Sequence, residues 1–213
     1  MEILEVMESR HSVRQYLDKK IEDEKRKILD EMAQKFNAEA NLNIQIIYDE
    51  PKCFDSLLAH YGKFSGVANY ICMVGQKCAN LDEKTGYYGE KLVLKAQEIG
   101  LNTCWVASTH GKTAAKINAG EKQAIIIALG YGANQGSQHK NKPNLAQISA
   151  DDPDWYKAGV KAALLAPTAI NQQKFFIERD GENVKISAKK GVCAKIDLGI
   201  VKCHFEMASG KKL

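Results

Sequence analysis

Two short stretches carry side chains whose types and spacing suit ligand chemistry. In Ser-Arg-His-Ser-Val-Arg-Gln-Tyr, residues 9–16, Arg10, Ser12 and Arg14 alternate. In an extended segment successive side chains point to opposite faces, so these three would share one. Two guanidinium groups and a hydroxyl on one face make a receptor for an anion or a ring carbonyl. An ordinary basic loop is the plain alternative. In Ala-Pro-Thr-Ala-Ile-Asn-Gln-Gln, residues 166–173, Thr168, Asn171 and Gln172 are uncharged and can all hydrogen-bond. A turn needs one or two such residues; a flat ligand with polar edges would want several. The plain alternative here is a helix-to-strand corner. Lys140 and Lys142 also alternate, within a polar loop over 133–144. Alone they read as solvated lysines.

Other chemistries lack their signatures. There is no G-x-x-x-x-G-K-[ST] phosphate loop and no G-x-G-x-x-G after a strand. Gly130-Tyr131-Gly132 lacks the third glycine and the helix. No G-x-S-x-G and no H-x-x-x-H occurs, and the five histidines are scattered. The six cysteines form no C-x-x-C, and Cys72 and Cys78 sit apart from histidine, which predicts reduced and mostly buried thiols without a metal site. No acid/base constellation is visible.

The elements that must position the two stretches follow from periodicity. A short helix over 2–9 leads into Arg10. Ile21, Ile28, Leu29, Met32 and Phe36 fall near helical spacing over 21–36. Strands are expected at 43–49, 67–76, 102–108 and 122–132, and helices at 53–60, at 87–99 and for about ten residues from Lys112. Gly100 sits where a helix-ending glycine belongs. Asp152-Pro153-Asp154 is an acidic helix start, predicting a helix over 154–165. Residues 174–188 read as a hairpin turning near Asp180-Gly181, and a last helix covers 194–208. Interleaved helices and strands make the class α+β, one sheet wrapped by helices. A single domain over 1–213 is expected, with a division into 1–150 and 151–213 as the alternative.

Composition bounds the partners. The chain has 213 residues, 45% apolar and 26% charged, with a formal charge of +4. That suits an anionic small molecule. A nucleic-acid surface would want a basic stripe interleaved with aromatics, whereas Lys and Arg here mix with Glu and Asp. No apolar stretch approaches the ~20 residues of a membrane span, and the first residues carry acids and no apolar signal region. A cytoplasmic location is the expectation, with no nucleic acid and no membrane as partners.

Taken together, "RHSVRQY", "LVLKAQEIGLNTCWVAS", "ALGYG" followed by "HKNKP", and "LAPTAINQQKFFI" resemble the nitroreductase family, over most of the chain. The resemblance implies a central, mostly antiparallel sheet wrapped by helices in a homodimer, with FMN at the subunit interface. It implies that Arg10, His11, Ser12 and Arg14 hold the phosphate, ribityl chain and pyrimidine edge of FMN. Val106, Ala107 and Ser108 would lie by the isoalloxazine ring, and Lys140 and Lys142 would reach the phosphate. Pro167, Thr168, Ala169 and Asn171, with Gln172 as the weaker match, would contact the flavin from the partner subunit. The implied reaction is ping-pong transfer of hydride from NAD(P)H to a nitroaromatic, quinone or similar acceptor. In the family the flavin carries the chemistry, so the resemblance implies that no catalytic side chain is needed. A non-enzymatic nucleotide- or anion-binding protein is one alternative; a flavoenzyme of different reaction on the same fold, removing a halogen or fragmenting flavin, is the other. The Ala-Pro-Thr segment lies late in the chain, at 166–173, and not between the first helices and the first strand. That order is similar to a smaller branch of the family and leaves open which subunit supplies the segment. Lys63 is the one match for a lysine near the pyrimidine, and Phe64, Tyr87 and Tyr88 are candidate lining aromatics.

Overall fold

The computed structural model describes residues 2–213. They form two compact units, each assembled from separated stretches of chain. One comprises residues 10–81 and 92–137; the other comprises 82–91 and 138–213 with the residues through Ser9. The boundaries between these units fall after Ser9, within helix α4 (Leu81–Glu98) and after Ser137. Helix α4 supplies its first part to one unit and its last part to the other.

In the unit containing residues 10–81, four strands form an antiparallel sheet. Their order is β1 (Gln45–Ile47), β2 (Asn69–Gln76), β4 (Glu121–Gly130), β3 (Asn102–Val106). β2 is buried at every position but Gln76, and β4 over its last six residues. These strands therefore read as continuous apolar runs, the mark of a sheet covered on both faces. One face carries Tyr70, Cys72, Val74, Cys104, Val106, Ile126 and Ala128, packed with Val13, Tyr16, Phe54 and Phe64. Helix α2 (Asp23–Ala40) buries Leu29, Ala33, Phe36 and Ala40, a stripe at helical spacing. It outlasts the expected 21–36 and stops at Asn41, whose left-handed backbone lets its N–H return to the Asn37 carbonyl.

Two expected helices in this unit change. α3 (Leu57–Tyr61) is shorter than 53–60, because the Ser56 hydroxyl caps it by accepting from the Ala59 N–H. No helix forms from Lys112. Its stretch is tied to the neighbouring sheet instead: the Ala114 N–H donates to the Tyr70 hydroxyl (3.0 Å), the Lys116 N–H donates to Gln45 Oε1 (2.8 Å), and the Lys116 carbonyl accepts from Gln45 Nε2 (2.7 Å). Local propensity yields to these bonds.

The other unit contains α1 (Ile3–Ser9), the first part of α4, α5 (Asp154–Ala163), the hairpin β5 (Phe175–Asp180) and β6 (Asn183–Ala188), and α6 (Ala194–Ser209). The hairpin forms a two-stranded sheet of its own among the described residues. Its turn is Gly181-Glu182, with Gly181 at φ 59°. α6 is held by small residues. A Cβ on Gly199 would collide with the Glu83 carbonyl, and one on Gly86 with the Ile196 carbonyl, so α4 and α6 cross backbone to backbone. Gly159 of α5 likewise lies under the Phe205 ring. No helix among the described residues is long and apolar enough to cross a membrane.

Candidate functional site

The predicted residues fall into two sets, one in each unit. The first is the arginine face. Residues 10–16 are extended, as the alternation requires. The Val13 N–H donates to the Thr103 carbonyl (3.0 Å), the Tyr16 N–H to the Ser65 carbonyl (2.9 Å), and the Ala133 N–H to the Gln15 carbonyl (2.8 Å). The Ser65 N–H returns to the Arg14 carbonyl (3.0 Å). The segment is thereby pinned to β3, to the turn at residue 65 and to the loop after β4. Val13 is buried in the core, Arg10 is only 4% exposed, and Arg14 is open to solvent.

Arg10, Ser12 and Arg14 all act on the buried Cys104 thiol. Burial pushes that thiol up, while Arg14, a hydrogen bond with Ser12, and Arg10 act in the opposite direction. The Arg14 guanidinium lies 6.0 Å from the centroid of the Phe64 ring, at the outer limit of a cation–π contact. Gly136, at φ 69°, brings the loop after β4 over this face: a Cβ there would stand 2.9 Å from both the His11 Cβ and the Ser12 carbonyl oxygen. Asn102 organises that loop. Its Oδ1 accepts from the Gly132 N–H (2.9 Å) and its Nδ2 donates to Gln135 Oε1 (3.0 Å). Val106 is buried in the same core cluster, and Ala107 and Ser108 follow it as exposed residues at the open end of β3. Lys63 is exposed and left-handed, at φ 63°.

The second set is the amide corner. Pro167, Thr168 and Ala169 are half-buried; Ile170 and Asn171 are exposed; Gln172 is buried. Its polar groups bond largely to one another and to Lys140 and Lys142. Asn171 Nδ2 donates to the Lys140 carbonyl (3.3 Å), and the Lys142 ammonium donates to the Gln172 carbonyl (2.8 Å). The Thr168 hydroxyl accepts from the Gln173 N–H (3.0 Å), and Gln173 Oε1 accepts from the Lys142 N–H (2.6 Å). Gln172 Nε2 donates to the Val192 carbonyl (2.5 Å) and to Asp197 Oδ2 (2.7 Å). The amides that drew attention in the sequence thus shape the corner, and Gln172 in particular faces inward. Tyr87 and Tyr88 belong to this unit, where the Tyr87 hydroxyl donates to Glu206 (2.6 Å).

Three residues were missed by the reading of the sequence: Asn102, Gln173 and Asp197. Each acts by holding backbone in place, which no local motif announces. The paired Gln172-Gln173 was the one signal, and only Gln172 was singled out.

The match to a family model runs over residues 2–209, and the family is described as "Putative TM nitroreductase". The chain belongs to the nitroreductase family. Among solved structures, a "putative nitroreductase" of Thermotoga maritima MSB8 is 25% identical, with a TM-score of 0.72 over 98% of this chain and 83% of that one. A "putative nitroreductase in complex with FMN" from Desulfovibrio desulfuricans is 19% identical, with a TM-score of 0.54 over 67% of this chain and 93% of that one. A "Putative NADH dehydrogenase/NAD(P)H nitroreductase" from Parabacteroides distasonis is 20% identical, with a TM-score of 0.52 over 71% and 99%. No curated protein is similar enough to this chain to match it. The nitroreductase fold accounts for the antiparallel sheet and its helices; the late Ala-Pro-Thr segment stands in this member at the turn between α5 and β5.

Proposed function

We propose that this nitroreductase-family protein is an FMN-dependent oxidoreductase that passes hydride from NAD(P)H to nitroaromatic, quinone or similar acceptors by a ping-pong mechanism, as a cytoplasmic homodimer. The observation that carries the reading is the extended segment 10–16, pinned to β3 by the Val13 N–H, which carries Arg10, Ser12 and Arg14 in alternation beside Cys104. Two fixed cations and a hydroxyl suit a phosphorylated, hydroxylated ligand whose ring gains negative charge on reduction. The bound FMN of the Desulfovibrio relative supports the same cofactor.

FMN, when bound, supplies the hydride chemistry itself. The chain supplies position and charge. Arg10, nearly buried, presents its cation where water competes little, which strengthens its attraction for an anion. Arg14 remains open to ligand. Ser12 offers a hydroxyl, and the Gly136 loop approaches His11 closely. Val106, Ala107 and Ser108 would border the ring. The amide corner, with Lys140 and Lys142, would be the second contact set, Pro167, Thr168, Ala169 and Asn171 facing the flavin and Gln172 supporting them from within.

Titration of the apoprotein with FMN tests this. Arg14→Ala should weaken binding about 10- to 100-fold, the worth of one charge-assisted hydrogen bond at roughly 1.5–3 kcal/mol. Wild-type protein should bleach anaerobically on addition of NAD(P)H. Unchanged FMN affinity in both Arg10→Ala and Arg14→Ala would defeat the assignment. FMN binding without bleaching would favour the non-enzymatic reading.

A further inference from the structure

The amide corner is strained. Ile170, Asn171 and Gln173 have φ of 48°, 51° and 47°, a left-handed backbone unfavourable for any side chain and most of all for β-branched isoleucine. Ile170 is moreover 87% exposed, so no packing of its own side chain within this chain holds it there. Such a shape persists only where its surroundings dictate it.

Asp197, in the first turn of α6, is what dictates it. The residue is only 5% exposed, and both its oxygens are engaged. Oδ1 accepts from the Ala169 N–H at 2.9 Å, immediately before the strained residues, and Oδ2 accepts from Gln172 Nε2 at 2.7 Å, within them. Gln172 is itself trapped, because the Val192 carbonyl takes its Nε2 as well, and a Cβ on Gly191 would collide with its Oε1. One carboxylate therefore clamps the corner at two points. We propose that Asp197 is a positioning residue that holds residues 168–173 in the shape required to contact the cofactor; the second half of this inference rests on the flavin reading above.

The chemistry of the clamp is specific to a carboxylate. An asparagine of the same size accepts at one oxygen only, and its NH2 would oppose the NH2 of Gln172. The clamp is also a burden on the fold. Burial pushes the Asp197 carboxyl up to about 6, against the hydrogen bonds from Gln172 and Ala169. A raised folded-state value means that this group stabilises the fold most at low pH, and that its contribution is lost as pH rises through about 6. The ionised form that clamps best is thus the form that the fold tolerates least. Of the titratable groups nearby, Cys193 at the leading edge of α6 feels the Asp197 charge, Asp82 in the first turn of α4 acts on that same thiol, and Lys142 reaches the Gln172 carbonyl. Residues 168–173 themselves carry none.

Asp197→Asn is the test, read in three ways on the full-length protein. Hydrogen-exchange protection of residues 168–173 in the apoprotein should fall about tenfold at neutral pH, the worth of one lost hydrogen bond to a charged group. FMN affinity should fall with it, while the melting temperature stays level or rises. Wild type should lose the same protection below pH 6, and the variant should show no such step. Unchanged protection at Ala169 overturns the proposal. So does a melting temperature that falls in step with affinity, which would mark Asp197 as a general structural residue. If protection responds as expected but wild type binds no FMN, the clamp stands and the flavin assignment of the corner fails.

Discussion

Glu90 and His204 form a pair with no solvent exposure at all, and its removal has a calculable consequence. His204 Nε2 lies 2.9 Å from Glu90 Oε1, and Nδ1 lies 2.9 Å from the Ala162 carbonyl. A carbonyl can only accept, so Nδ1 carries a hydrogen and Nε2 faces the carboxyl group. The pair joins α4, α5 and α6 at one buried point. Glu90→Ala deletes the carboxyl and leaves Nε2 facing a cavity. Breaking a buried pair in this way costs about 3–5 kcal/mol. For a chain of this length each kcal/mol moves the melting temperature about 2–4 °C, so a drop of roughly 6–20 °C is expected. Glu90→Gln keeps a polar group that can hydrogen-bond to Nε2 and should cost no more than about 1.5 kcal/mol. Urea unfolding at fixed protein concentration and constant pH reads both, with stability changes appearing in the midpoint and not the slope. A Glu90→Ala variant within about 1 kcal/mol of wild type, on this same scale of buried-pair energies, would refute the reasoning. Equal losses in Glu90→Ala and Glu90→Gln would show that opposite charge, and not hydrogen bonding, holds the pair.

Gly199→Ala places a methyl against the Glu83 carbonyl and 2.7 Å from the Tyr87 nitrogen, both of which are backbone and cannot swing aside. α4 and α6 must separate, and stability should fall by about 1–3 kcal/mol or more, measured by thermal unfolding. The Tyr16 hydroxyl is buried and has no hydrogen-bond partner among the described residues, and burial pushes its ionisation well above the usual tyrosine range. Tyr16→Phe should therefore stabilise the protein by about 1–3 kcal/mol without changing FMN affinity; a destabilised Phe variant would show that the hydroxyl is satisfied in solution.

Elements built from near neighbours in the chain were legible in the sequence. The apolar runs of β2 and β4 specify buried strands because every second residue must face one covered side and the rest the other. The Pro153 entry to α5 and the Gly181 turn follow from backbone preferences within a few residues, so they hold in almost any context. The extended course of residues 10–16 was legible the same way, since alternation of Arg10, Ser12 and Arg14 is a local pattern.

What lay beyond the sequence depends on groups far apart along it. Nothing local says that Lys116 will be held by Gln45 in place of its own helix, or that α4 will belong to two units. Nor does anything local say that the amides of residues 166–173 will also bond to Lys140, Lys142 and Asp197, up to about thirty positions away in the chain. Local hydrogen-bonding capacity is written in residue type. Which group satisfies it is decided only when the folded chain excludes water and leaves each buried donor a single acceptor within reach.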